Sequence, residues 1–352
     1  MKKMFLSLAA LALIFTSCEN DKNEISEEQN KVDMSDFFVH TESETNGGKA
    51  RNGKTQCYSM TNLNRLLSED PQLYKKMYDI EYQTRANILL RPGNGNGNGN
   101  NGGGGDGGGD GGGDDNLGVI NIPVYVHVIY SNSQQNISAG QIQSQIDVLN
   151  EDFRATNGDA NQVPGEFSGL VADSEIEFTL AGTFRHADSR SSWGTNDAMK
   201  AAYPPVTPET HLNIWVCNIG GGILGYAQFP GGPTSTDGVV VSPQYFGNTG
   251  FVSAPFDGGR TTTHEVGHYL NLRHIWGDGR CNRDDFVADT PKSDAPNYGC
   301  PSYPTVNCRS NDMTMNYMDY VDDACMYMFS EGQKTRMRTL FASGGPRAAM
   351  AN

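Results

Sequence analysis

Positive charge is scarce in this chain. Its 352 residues carry 26 Lys and Arg against 41 Asp and Glu, a net charge of -15. Only the first 18 residues, with two lysines and no acid, are net positive. Nucleic-acid recognition needs a basic face to neutralise phosphates, so that class of partner is excluded. Calcium and cationic substrates suit such a surface. A long apolar run is also missing. The longest, within "MKKMFLSLAALALIFTSCEN", is about a dozen residues, too short to span a bilayer as a finished helix. The stretch "PGNGNGNGNNGGGGDGGGDGGGDD" holds no large apolar residue at all. It can neither bury a core nor build the sheet that glycine–aspartate calcium repeats require. We read residues 93–116 as a flexible linker with ends ~25 Å apart.

The amino terminus combines two lysines, the apolar run and small residues, the pattern of a secretory signal peptide over residues 1–17. "FTSC" is similar to a lipobox, which implies cleavage before Cys18 and acylation of its thiol. The acidic "ENDKNEISEE" after it resembles the tethers of surface lipoproteins in some Gram-negative bacteria. Export is implied, with the protein at the cell surface or outer membrane and Cys18 as its one membrane attachment. Seven cysteines fit an exported chain. Cys57 stands alone, and Cys217 lies in an apolar run and reads as a small buried residue. Cys281, Cys300, Cys308 and Cys325 cluster late and suggest two disulfides, with all three pairings open.

Residues 19–50 are polar with few large apolar side chains and read as a structureless tether. Residues 59–90 show apolar residues at helical spacing (Leu63, Leu66, Leu67, then Leu73, Met77, Ile80), with Pro71 starting a second helix. The tether and this segment together span residues 18–92. The globular part, residues 117–352, opens on "VINIPVYVHVIY", a buried strand. A helix comes next, with Ile142, Ile146, Leu149 and Phe153 on one face. "SEIEFTLAG" and "HLNIWVCNI" are further strands, and "GGGILGYAQFPGG" reads as a glycine-bounded edge strand. His127, in the first strand, reads as a core histidine. Regular structure then thins out until "FSEGQKTRMRTLF", a closing helix with a capping box of Ser330 and Gln333. The order is that of an α/β domain.

Histidine is rare too, seven in all, yet three fall within "TTTHEVGHYLNLRH", residues 261–274. Residues four apart share a helical face, so His264 and His268 can present two imidazoles to one ion. Glu265 is rotated about 100° from His264, too far to join as a ligand but able to reach water at the metal. His274, six residues beyond His268, requires the chain to leave the helix and double back. Asn271 suits that turn, because asparagine comes next to glycine in tolerance of the left-handed conformation. Three histidines with an open position favour a catalytic zinc over calcium or magnesium.

This pattern resembles the metzincin motif H-E-x-x-H-x-x-G-x-x-H, with Asn271 in the place of glycine. "NYMDYVDDACM" is similar to the Met-turn, which sets Met318 beneath the metal. With "IPVYVHVIY", "LNIWVCNIGGGILGYAQFPGG" and "MDYVDDACMYMF", these motifs resemble the pappalysin (cytophagalysin) family over most of residues 117–342. The resemblance implies a metzincin-like α/β catalytic domain: a mixed twisted sheet, an active-site helix, and a helix-poor carboxy-terminal subdomain. That subdomain would be stapled by Cys281–Cys308 and Cys300–Cys325. It also implies peptide hydrolysis on protein or peptide substrates by a monomer, with Glu265 as general base and Tyr320 stabilising the oxyanion. Asp323 would floor the pocket for the residue after the scissile bond and select Arg or Lys by ion pairing. "CNRDDFVADTP" resembles the family's calcium loop, with Asp285, the Val287 carbonyl and Thr290 as ligands. "TQCYSMTNLNRLLSEDP" resembles the family's pro-segment, whose cysteine, here Cys57, would fill the open zinc position and keep the enzyme latent. Tyr58 stands where the family usually has glycine. The competing reading is a surface lipoprotein binding module with a non-catalytic zinc.

Overall fold

A computed structural model describes residues 32–40, 55–90 and 115–351. The signal peptide, Cys18, most of the tether and nearly all of the glycine-rich linker lie outside the described residues. The described helices and strands all lie in one compact unit that begins at Met34.

The elements in chain order are β1 (Thr55–Cys57), α1 (Ser59–Glu69), α2 (Leu73–Leu90), β2 (Ile120–Tyr130), α3 (Ala139–Phe153), β3 (Ile176–Ala187), α4 (Ala198–Ala202), β4 (Leu212–Val216), β5 (Ile223–Ala227), β6 (Val239–Val241), α5 (Arg260–Tyr269), the two-residue strands β7 (Val306–Asn307) and β8 (Ser310–Asn311), and α6 (Glu331–Thr339). The first six strands make one sheet in the order β1-β5-β6-β4-β2-β3. Strands β2, β3, β4 and β6 run parallel, and β5 is antiparallel to β6. The central parallel strands β4 and β6 are buried on both faces, as cover by two layers demands, with Leu212, Ile214, Trp215 and Val216 of β4 all fully buried. The edge strand β3, in contrast, alternates half-buried and exposed residues over most of its length. The fold is thus a mixed α/β sheet with few helices.

Helix α3 shows two faces. Ile142, Ile146, Leu149 and Phe153 enter the core, while Gln141, Gln145 and Asp152 are buried on a second stripe. That polar stripe holds α5 in place. Thr262 Oγ1 donates to Gln145 Oε1 and Thr263 Oγ1 to Asp152 Oδ2, both at 2.7 Å. Apolar periodicity reports only the first of these faces.

Two expectations are corrected. Strand β5 is not the sheet edge, because β1 adds parallel to it and takes the outer position. Nor are residues 34–40 a structureless tether. Phe37 and Phe38 pack their rings on Phe286, and Val39 is buried in a cluster with Met60, Leu63, Leu66, Leu67, Leu73, Met77 and Phe229. Three consecutive large apolar residues suffice to order a short segment when a matching surface exists, which composition averaged over thirty residues conceals. His127 is a core residue, its Nε2 sharing a 2.9 Å hydrogen bond with Asn213 Oδ1 on β4.

Candidate active site

Helix α5 begins at Gly259, in the left-handed region, and the Asp323 carboxylate accepts from Gly258 N at 2.9 Å and Arg260 N at 3.2 Å. A buried carboxylate thereby satisfies amides at the helix start, where the macrodipole favours negative charge. The helix carries His264 and His268 and ends at Leu270. Asn271 comes next with φ +70°, the left-handed turn its residue type allows, and brings His274 back to the first two histidines. Gly267 lies within the helix because a Cβ there would fall 2.4 Å from Met318 Sδ. The absence of that carbon lets Met318 pack directly beneath the helix.

Each histidine is fixed through Nδ1. His264 Nδ1 pairs with the Tyr317 carbonyl at 2.7 Å, His268 Nδ1 with the Leu272 carbonyl at 2.8 Å, and His274 Nδ1 with Asp278 Oδ1. These partners leave the three Nε2 atoms facing one another. His268 Nε2 is 3.1 Å from both His264 Nε2 and His274 Nε2. Burial, with His274 beside it, pushes His264 down to about 3 and His268 well below its ordinary value, so both are neutral, the form that binds metal. Nitrogen lone pairs at that distance in a buried site repel unless a cation lies between them. Together with Cys57 Sγ, the ligand atoms all lie within 4.8 Å of one another. Three imidazoles and one thiolate fit zinc in donor type and number.

Glu265, fully buried, sits against the amino-terminal segment. Its Oε2 accepts from Ser59 Oγ at 2.6 Å and from Cys57 Sγ at 3.5 Å. Burial pushes its carboxyl up to about 8, and these two hydrogen bonds oppose the rise. The same short stretch occupies the open edge of β5. Tyr58 N donates to the Gly225 carbonyl at 3.0 Å, Ala227 N to Ser59 Oγ at 2.7 Å, and Asn62 Nδ2 to the Ala227 carbonyl at 3.2 Å.

A pocket is lined by Cys57, His264 and Glu265 together with Phe256, Arg260, Thr261, Asp319, Tyr320, Val321, Asp323 and Met326. The Tyr320 ring lies 4.8 Å from those of His274 and Trp276. Arg260 is paired with Asp159, at 2.6 and 2.8 Å, with Asp152 at 3.5 Å, and burial pushes the Asp323 carboxyl up to about 7. Cysteines 281 and 308 are joined, as are 300 and 325, and Cys217 is a buried free thiol. In the loop after Cys281, Thr290 Oγ1 lies within hydrogen-bond distance of both Asp285 oxygens and the Val287 carbonyl, at 2.8–2.9 Å.

Among known families, the model described as "Pregnancy-associated plasma protein-A" matches residues 206–342. An extracellular metalloprotease of Pyricularia oryzae is 33% identical over 235 residues, 63% of this chain and 75% of its own length. Among solved structures, mature mirolysin of Tannerella forsythia in complex with a cleaved peptide is 45% identical, with a TM-score of 0.64 over 66% of this chain and 95% of its own. A promirolysin variant from the same organism is 39% identical, with a TM-score of 0.71 over 84% and 96%.

The chain belongs to the pappalysin family of metallopeptidases.

In this pappalysin the family match takes in the whole histidine helix and the turn holding Met318 and Tyr320. The promirolysin match spans more of the chain than the mature one does. Sequence reasoning missed four residues around the site. Asp278 and Gly267 were readable, one as an acid four residues after His274 and the other as the small residue inside the helix. Ser59 and Asp152 were not, because their partners Glu265 and Tyr317 lie far away in sequence.

Proposed function

We propose that this pappalysin is an exported zinc metalloendopeptidase, held latent by residues 18–92 and active once they leave the catalytic domain, residues 117–352. One observation carries the reading. Three imidazoles, the Cys57 thiol and the carboxyl of Glu265 meet at one buried point, and the amino-terminal segment closes it. His264, His268 and His274 would hold the zinc, with Cys57 as fourth ligand in the latent form. Zinc supplies Lewis acidity, which lets water act as a nucleophile near neutral pH and polarises the scissile carbonyl.

The chain's own residues do the rest. Glu265 takes the proton from the attacking water and delivers it to the leaving amine. Tyr320 donates to the oxygen that gains negative charge. Once β1 departs, the backbone groups of Gly225 and Ala227 on β5 pair with an extended substrate, which favours a peptide. Asp323, backed by Asp152 and Asp159 against the single Arg260, selects Arg or Lys just after the scissile bond. Asp285, the Val287 carbonyl and Thr290 would bind a structural calcium. Cys18 would anchor the exported chain by a lipid, and cleavage within residues 93–116 would free the catalytic part. A four-ligand site also suits a binding module with structural zinc, but a buried carboxyl in contact with the fourth ligand serves no purpose there.

The test is cleavage of a denatured protein mixture by the chain freed of its amino-terminal segment, with new termini read by mass spectrometry. New amino termini should begin with Arg or Lys. Glu265→Ala should keep its zinc and lose about 100-fold or more in rate, and a chelator should silence the parent until zinc is restored. Cuts before other residues discard the Asp323 pocket and keep the peptidase. No cleavage by a folded, zinc-bearing protein removes the peptidase reading.

A further inference from the structure

The amino-terminal segment also touches the catalytic domain just past the carboxy-terminal end of the histidine helix. Arg336, on α6, is 2% exposed, and so is Glu81 on α2. Their side chains form a two-pronged pair, with Arg336 Nη1 to Glu81 Oε1 at 3.1 Å and Nη2 to Oε2. The same guanidinium donates through Nε to the carbonyl of Asn271, the residue that turns the chain toward His274, at 2.9 Å. Arg273, two residues on, donates to the Phe38 carbonyl at 2.7 Å and lies over the Phe38 ring at 4.5 Å. Phe286 completes the group. Phe37, Phe38 and Arg85 approach its ring from the amino-terminal segment, and Arg273 and Arg336 from the catalytic domain.

None of these contacts depends on the interval 91–114. Upstream of it, α2 is held by Glu81. Downstream, Asp115 is gripped by Arg338, at 2.7 Å through Nε and 2.6 Å through Nη2. A cut in that interval breaks a covalent connection and leaves every one of these contacts in place. The segment then stays or goes according to its own affinity. A paired charge buried on both sides, backed by an aromatic cluster, is what gives an interface a slow off-rate.

Resting on the zymogen reading, we propose that Arg336, Arg273 and Phe286 form an exosite for the amino-terminal segment, which recognises Glu81 and the Phe37–Phe38 pair. The exosite keeps that segment bound after the linker is cut, so a single cut between residues 91 and 114 leaves the enzyme latent. Latency is held at two places along α5, by Cys57 and Ser59 at Glu265 in its middle and by Glu81 and Phe38 just past its carboxy-terminal end, beyond Asn271. In the freed enzyme the exosite is an open ledge of two arginines and an aromatic ring, suited to a carboxylate-bearing aromatic peptide.

The experiment uses the full chain, zinc-loaded, with a recognition sequence for a site-specific protease placed within residues 91–114. After cutting, the fragments are run on size exclusion and assayed on a quenched fluorescent peptide. The parent fragments should co-elute, with activity within about threefold of the uncut chain. Glu81→Gln should let them separate and raise activity about tenfold or more, and Phe38→Ala should act in the same direction. Cut Cys57→Ala/Glu81→Gln chain, with both latches weakened, is the positive control. If the cut parent separates and reaches the control's activity, the exosite does not retain the segment and the proposal falls while the zymogen reading stands. If cut Glu81→Gln and Phe38→Ala both stay assembled and latent, the assigned residues are wrong. If the control separates yet is inactive, the zymogen reading fails and takes this one with it.

Discussion

At the scale of single residues, the site is built from backbone conformations and missing atoms as much as from functional groups. Asn271 illustrates this. Its φ of +70° is costly for most side chains, while its buried Nδ2 has no hydrogen-bond partner among the described residues. Its contribution is therefore conformational, and the two obvious substitutions should diverge. Asn271→Ala, forced into the left-handed region, should lower stability by about 1–2 kcal/mol. Asn271→Gly, which removes the unsatisfied amide and accepts the angle, should stay within about 1 kcal/mol of the parent. Thermal unfolding of the two variants checks the order, and equal losses would assign Asn271 a side-chain role. This turn was legible in advance because its cause is local: a six-residue gap and one residue type. Ser59 was illegible because its partner Glu265 is 206 residues away and nothing in "CYSM" marks the hydroxyl.

At the scale of elements, β2, β3, β4, β5, α3 and α6 of the catalytic part were readable from sequence pattern, and α6 forms with the capping box of Ser330 and Gln333 in place. The five-residue α4 and the three-residue β6, which sits inside the sheet, were too short to show one. The partners of the readable elements were not legible either. Strand β1 is three residues long and too short to show a pattern, yet it changes which strand is the sheet edge. Helix α2 carries Glu81, whose partner Arg336 lies 255 residues on. That pair has a pH signature. Burial works to raise the Glu81 carboxyl, but the Arg336 and Arg85 guanidiniums override it and hold the group at about 2 instead of 4.5. A depressed carboxyl stabilises the docked state fully above its ordinary value and loses that contribution as pH falls through the depressed one. Docking of α2 should therefore be constant above pH 4.5 and weaken progressively as pH drops toward 2. Hydrogen exchange of α2 amides as a function of pH measures this directly, and Glu81→Gln should flatten the profile. A profile unchanged by that substitution would place the acid sensitivity elsewhere.

At the scale of the whole molecule, a layered α/β half meets a half with little regular structure, where two disulfides do the work that helices do elsewhere. The convergence of Asp285, Val287 and Thr290 in that half gives a stability prediction. Calcium should raise the melting temperature of the full chain by several degrees, and Asp285→Asn should abolish the increase. An unchanged melting temperature in the parent would leave calcium without a structural role. The fold of this half was expected from resemblance to relatives and not from pattern, since loops stapled by cysteines have no periodicity to read. The central claim, one zinc held by three histidines and closed by a thiol from the chain's own amino terminus, is tested most directly by X-ray absorption at the zinc edge of the unprocessed protein. Three nitrogen scatterers and one sulfur at about 2.3 Å are expected, with the sulfur lost in Cys57→Ala and after removal of the amino-terminal segment. A shell without sulfur in the unprocessed protein would contradict the claim.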